Sequence, residues 1–210
     1  MRDNGSIVKG VAAGMAGGLL ASAVMNQFQA LWGKLMDGEA GSHGAQSLQK
    51  GLPDHGISRE LQKRGSDDPD DDAAVRAGNA ISEFVFHEKL TKQQKEFAGT
   101  LAHYAMGASS GAVYGAIAEI LPEATVGEGL PFGAAIWLIA DEAVVPAVGL
   151  SKPARQYPFS IHVYAFTSHL VFGLTTELVR RTVRRALSPS EDRAPQSGWK
   201  AAKHAAWRTA

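Results

Sequence analysis

Cysteine is absent from the 210 residues, which removes disulfides, thiolate metal sites and cysteine nucleophiles and leaves any metal site to His, Asp and Glu. A net charge is absent as well. The 21 basic residues balance 21 acidic ones, so no global field draws nucleic acid, and no nucleic-acid motif is present. Ser109, Ser110 and Ser168 lie in no nucleophile-elbow pattern, which points away from an enzyme. Charged residues make up 20% of the chain, but they occur in blocks and leave long stretches with none.

Phe97 to Ala118 is 22 residues without a formal charge, and at about 1.5 Å per residue this covers the hydrocarbon core of a bilayer. Along it Gly99, His103, Gly107, Gly111, Gly115 and Glu119 recur every fourth position, one face of a helix. Glycine in a water-exposed helix costs about 1 kcal/mol relative to alanine. Three in succession at this spacing point to close backbone approach, the way helices pack in lipid through small-xxx-small faces. Residues 10–33 are a second uncharged run, with Gly10, Gly14, Gly18 and Ser22 on a like face. The alternative there is a cleaved signal peptide ending at Ala21-Ser22-Ala23, but the apolar pattern continues through Val24, Met25, Phe28 and Trp32 to the length of a span.

Two further apolar segments follow, 127–150 with Gly129, Gly133, Trp137 and Asp141 four apart, and 158–185 with His162, His169, Gly173 and Glu177 on one side. The expected fold is all-α, a multi-pass transmembrane bundle of about four helices (within 1–33, 97–121, 127–150 and 158–185). Its helices pack through Gly14, Gly18, Gly107, Gly111, Gly115, Gly133 and Gly173. A second copy of the chain is an open partner for any glycine face left unsatisfied.

Residues 34–96 are a polar loop with 12 acids and 9 bases, and its Gly- and Pro-punctuated first half is expected to be mobile. After the acidic run from Asp67 to Asp72, Val75, Gly78, Ile81, Phe84 and Val85 repeat at helical spacing. They predict a short amphipathic helix near 73–88 that lies on the membrane surface or covers the bundle. Thr91 and Gln94 have the form of a capping box opening the central helix, and Pro122 closes it. Residues 188–210 read as a basic, disordered tail. Four spans put both termini on one side, and Arg180, Arg181, Arg184 and Arg185 beside the last span assign the C-terminus to the cytoplasm. The alternative is a re-entrant third segment, which leaves three spans and places the long loop inside.

Counting rise from the segment ends, Asn26, His103, Asp141, Glu142 and His162 fall in one leaflet on the side of the long loop, with His169 nearer the midplane. Glu119 and Glu177 fall at the opposite edge, beside Arg180 and Arg181. The first six form a predicted polar cluster, and ionisable groups at such depth mark function or helix pairing. Hydrogen bonding between helices gives a structural or interaction role, which the sequence supports most directly. A carboxylate beside imidazoles also suits proton- or ion-linked transport or pH homeostasis. A divalent metal such as zinc is the third use, and no other cofactor is implied. His43, His55, His87 and His204 lie in polar segments and read as solvated. The expected partner is the lipid bilayer.

The stretch YGAIAEILP (Tyr114 to Pro122), Gly129 and Gly133, the PAVGL of Pro146 to Leu150, and SHLVFGLTTELVRR (Ser168 to Arg181) resemble the YagU family of bacterial inner-membrane proteins, defined by a domain of unknown function. The resemblance covers residues 97–187. It implies a multi-pass protein of the bacterial inner (plasma) membrane and brings no established reaction or catalytic residues. His169 and Glu177 match the family pattern best.

Overall fold

In the computed structural model, which describes residues 4–36 and 51–188, every regular element is a helix. The tail from residue 189, the loop stretch 37–50, His43 and His204 lie outside the described residues. The elements in order are α1 (Asn4–Met36), α2 (Gly56–Lys63), α3 (Ala73–Ile81), α4 (Lys92–Ile120), α5 (Leu130–Ile136), α6 (Val145–Ala147) and α7 (Phe159–Ala186). Wider π-helical stretches extend α3 over Ser82–Phe86 and join α5 to α6 over Trp137–Val144.

The predicted capping box is present. The Thr91 side chain accepts from the Gln94 amide, and Gln94 reaches back to the Thr91 amide at 2.9 Å, so two of the unpaired donors at the start of α4 are satisfied. In the third apolar segment, Pro146 has no N–H to return to the Glu142 carbonyl, so regular α-helical pairing is broken there. The π-helical stretch carrying Asp141 and Glu142 lies immediately before this break.

The glycines become two backbone seams. Gly10, Gly14 and Gly18 of α1 meet Gly115, Gly111 and Gly107 of α4 in antiparallel order; a Cβ on Gly14 would sit 2.8 Å from the Gly115 Cα, and one on Gly111 2.9 Å from the Gly18 Cα. Gly173 of α7 approaches α5 in the same way, with a Cβ there only 2.8 Å from the Gly133 Cα. Between the seams, Ala21, Met25, Phe132 and Phe172 form the apolar core, and Phe132 stacks on Tyr114 at 4.2 Å between centroids. Among the described residues two helices are both long and apolar enough to cross a bilayer, Gly5–Lys34 and Leu130–Ala147. Helices α4 and α7, of 29 and 28 residues, have the length but are not among them, so the expected bundle of four spans is carried by two.

The part of the loop expected to be mobile differs within the described residues. Residues 51–91 fold into a cap at the end of the bundle where α4 begins. Its centre is Arg76, fully buried, whose Nε donates to Asp67 at 2.8 Å and whose Nη groups donate to the carbonyls of Gly51, Asp68 and Leu150. Asp72 caps α3 by accepting from the Val75 amide. Helix α3 covers the bundle: its Gly78 lies against Ala98 and its Val75 against Gly99 of α4. Helix α2, absent from the sequence reading, sets its first amides on the broken third segment, Ile57 N–H donating to the Val148 carbonyl and Ser58 N–H to that of Gly149. The unpaired amides of one helix start thereby satisfy unpaired carbonyls of another helix end.

Candidate functional site

The π-helical stretch presents two successive carboxylates to α7. Consecutive residues on a helix diverge by about 100°, so Asp141 and Glu142 cannot serve one point, and the structure gives each its own imidazole. Glu142 Oε1 lies 2.7 Å from His162 Nδ1, and the other ring nitrogen, Nε2, lies 3.1 Å from the Ala154 carbonyl. Both neighbours of the ring are oxygens. A carbonyl and a carboxylate both accept, so the ring nitrogen that donates at each contact depends on the tautomer. The His162 and Glu142 side chains are 21% and 16% exposed.

Asp141 and His169 make the second pair, deeper in the bundle. His169 Nδ1 donates to the Ala165 carbonyl at 2.8 Å and lies 3.7 Å from Asp141 Oδ2, beyond hydrogen-bond length. His103 on α4 is within electrostatic reach of His169, and its Nε2 is buried without a hydrogen-bond partner among the described residues. Asn26 is half-buried on α1 and belongs to neither pair. The six residues thus separate into two pairs along α7, with His103 and Asn26 beside them. Among the described residues no group of three His, Cys, Asp or Glu side chains is placed to hold a metal.

The opposite end of the bundle pairs its carboxylates with arginine. Glu177, fully buried, accepts from Arg180 Nε at 2.7 Å and Nη2 at 2.9 Å, and also from Arg181, which continues to Glu128. Glu119 accepts from Arg184 Nε at 2.7 Å and from Ser6, whose hydroxyl in turn accepts from Arg184. These contacts tie α1, α4, α7 and the turn before α5 together. Gly107, Gly111 and Gly115 run along α4 between the two ends.

Sequence reasoning missed three contributors at the capped end. The Ala154 carbonyl completes the His162 site. Tyr164 donates to the Gln29 carbonyl at 3.3 Å, joining α7 to α1. His55, read as solvated, places Nε2 2.8 Å from the Pro146 carbonyl and Nδ1 3.2 Å from Asp54, again two oxygens around one ring. The Pro146 carbonyl first, and the Asp54 carboxylate after it, raise the His55 pKa above its ordinary value, while burial opposes them. Only the proximity of Pro146, four residues after Glu142, hints at this link in the sequence.

A family model described as "Protein of unknown function (DUF1440)" matches residues 64–178, more than half of the chain. The match takes in both imidazole pairs and Glu177. No curated protein and no solved structure matches the chain.

Proposed function

We propose that this chain, which belongs to the DUF1440 family, is a multi-pass protein of the bacterial inner membrane that binds and exchanges a proton at the Glu142 and His162 pair. The distribution of side chains supports the membrane assignment. Leu20 and Leu31 of α1, Leu101, Met106 and Val113 of α4, Leu138 and Ile139 after α5, and Leu178 of α7 are all exposed, while Ser22, Ser168, Thr176 and Glu177 are buried. Polar groups inside and long apolar side chains outside suit helices in lipid. Four spans, the YagU resemblance and the basic residues from Arg180 to Arg185 fit an orientation with the arginine end in the cytoplasm and the cap outside.

The observation that supports the proton assignment is the His162 ring held between two oxygens, the Glu142 carboxylate and the Ala154 carbonyl. The pair opens towards the cap, and His169 lies seven residues along α7, about 10 Å of helix rise deeper. Asp141 and His169 then stand as the next acceptor towards the arginine end. No catalytic residue is assigned. The test is wild-type protein in liposomes enclosing a pH-sensitive dye, given an external pH step. Wild type dissipates the gradient faster than Glu142→Gln, and a wild-type rate equal to that of protein-free liposomes contradicts proton exchange.

A second reading is favoured by the same contacts, because the Glu142, His162 and Ala154 bonds also join α7, the π-helical stretch and the 154–156 turn. As a purely structural tie they predict that Glu142→Gln lowers the melting temperature and leaves proton flux unchanged.

A further inference from the structure

The cap has one face that neither the bundle nor the rest of the cap covers. Helix α3 turns Val75, Gly78 and Asn79 inward, and Asn79 is fully buried, donating to the Ser66 carbonyl. Its other side, continuing through the π-helical stretch, leaves Ile81, Val85 and Phe86 exposed, Phe86 by 67%. An apolar face on a polar cap needs a partner, and its height along the bundle identifies one. Gly78 seats against Ala98 and Val75 against Gly99, the first turn of the uncharged run that begins at Phe97. Phe97 and Leu101, also exposed, lie at that level on α4, and Phe159 is exposed at the start of α7. Basic groups border the patch: Arg64 stacks on the Phe84 ring at 4.8 Å, Lys89 donates to the Arg64 carbonyl, and Lys92 opens α4, while Lys95 is held inside the cap by Asp71. Aromatic and aliphatic side chains edged by lysine and arginine, level with the first apolar turn of a span, match the boundary between lipid headgroups and acyl chains.

We infer that Ile81, Val85 and Phe86 are seated in the headgroup region of the bilayer, so that the cap rides on the membrane surface beside α4 and is not held clear in water. This deepens the membrane assignment above and rests on it. A cap held against the lipid also fixes α2 and His55 over the Pro146 break, four residues beyond Glu142.

The absence of cysteine makes single-cysteine variants uniquely labelled. Val85→Cys and Phe86→Cys, spin-labelled in liposomes, are compared with Leu20→Cys, exposed midway along α1, and Arg59→Cys, exposed on α2. The readout is collision with oxygen, which concentrates in lipid, against a water-soluble nickel chelate. Labels at 85 and 86 are expected between the other two, favouring oxygen over the chelate. If they match Arg59 while Leu20 favours oxygen, the cap stands in water and the inference fails with the membrane assignment intact. If they are shielded from both agents, a protein surface covers the patch and lipid is again the wrong partner. If Leu20 itself behaves like Arg59, the membrane assignment falls and the inference with it.

Discussion

The two ends of the bundle handle buried carboxylates in different ways. At one end Glu119 and Glu177 meet guanidinium groups, which stay charged at any pH a protein survives; at the other Asp141 and Glu142 meet imidazoles, which gain and lose a proton in the physiological range. The contacts are of similar length, 2.7 Å for Glu177 to Arg180 and 2.7 Å for Glu142 to His162. Strength of contact therefore does not separate them. The arginine end is a clamp of buried ion pairs, and the imidazole end is the part that we propose exchanges a proton.

The sharpest way to break that contrast is to remove the clamp. Glu177→Ala leaves Arg180 buried without its carboxylate, and breaking a buried pair on one side costs about 3–5 kcal/mol. Chemical unfolding in detergent should show a loss of that size, unchanged across the histidine range of pH. A loss that varies with pH there would mean the clamp is not fixed. Next in size is the seam shared by both ends. Gly111→Leu forces a side chain onto the Gly14 and Gly18 backbone, which cannot yield as a flexible side chain would, and overpacking of this kind costs about 1–3 kcal/mol or more. A melting temperature equal to wild type would show that α1 and α4 do not touch there.

Glu142→Gln should be milder in stability, about 1–2 kcal/mol for one charge-assisted hydrogen bond, yet abolish the dissipation of a pH gradient. Stability and flux thus separate at the imidazole end and do not at the arginine end. The smallest effect belongs to His55. Its folded pKa is raised, so the stability it lends the cap is fully present below the ordinary histidine value of about 6.5 and is lost as pH rises through the raised value. Amide exchange at Ile57 and Ser58, corrected for its intrinsic pH dependence, should show weaker protection on the alkaline side. His55→Gln should remove that difference, and a difference that survives would place the titrating group elsewhere.

Much of this arrangement was legible in residue spacing. Glycines four apart on α1 and α4 announced a backbone seam, Thr91 and Gln94 the start of α4, and Glu177 with Arg180 and Arg181 at three and four residues the clamp, because helical periodicity alone brings each set together. The second arginine contact, Arg184 to Glu119, needed the register of α7 against α4, which spacing within one helix does not supply. The cap escaped for a related reason. Arg76 is buried by carbonyls of Gly51 and Leu150, and a backbone carbonyl carries no residue identity for a sequence to display. The Ala154 carbonyl at His162 was hidden in the same way, although it is the second contact that holds the ring. Sequence grouped five polar residues by depth, but rise along a helix does not report rotation, and rotation is what divides Asp141 from Glu142.

The most direct test is nitrogen NMR of histidine-labelled protein in lipid, with His162 assigned by its loss in His162→Gln. A proton shared between Glu142 and His162 predicts that neither His162 ring nitrogen is bare at neutral pH, and that Glu142→Gln changes the Nδ1 resonance. A His162 ring with one bare nitrogen beside an ionised Glu142 would contradict the proton site and leave only the structural tie.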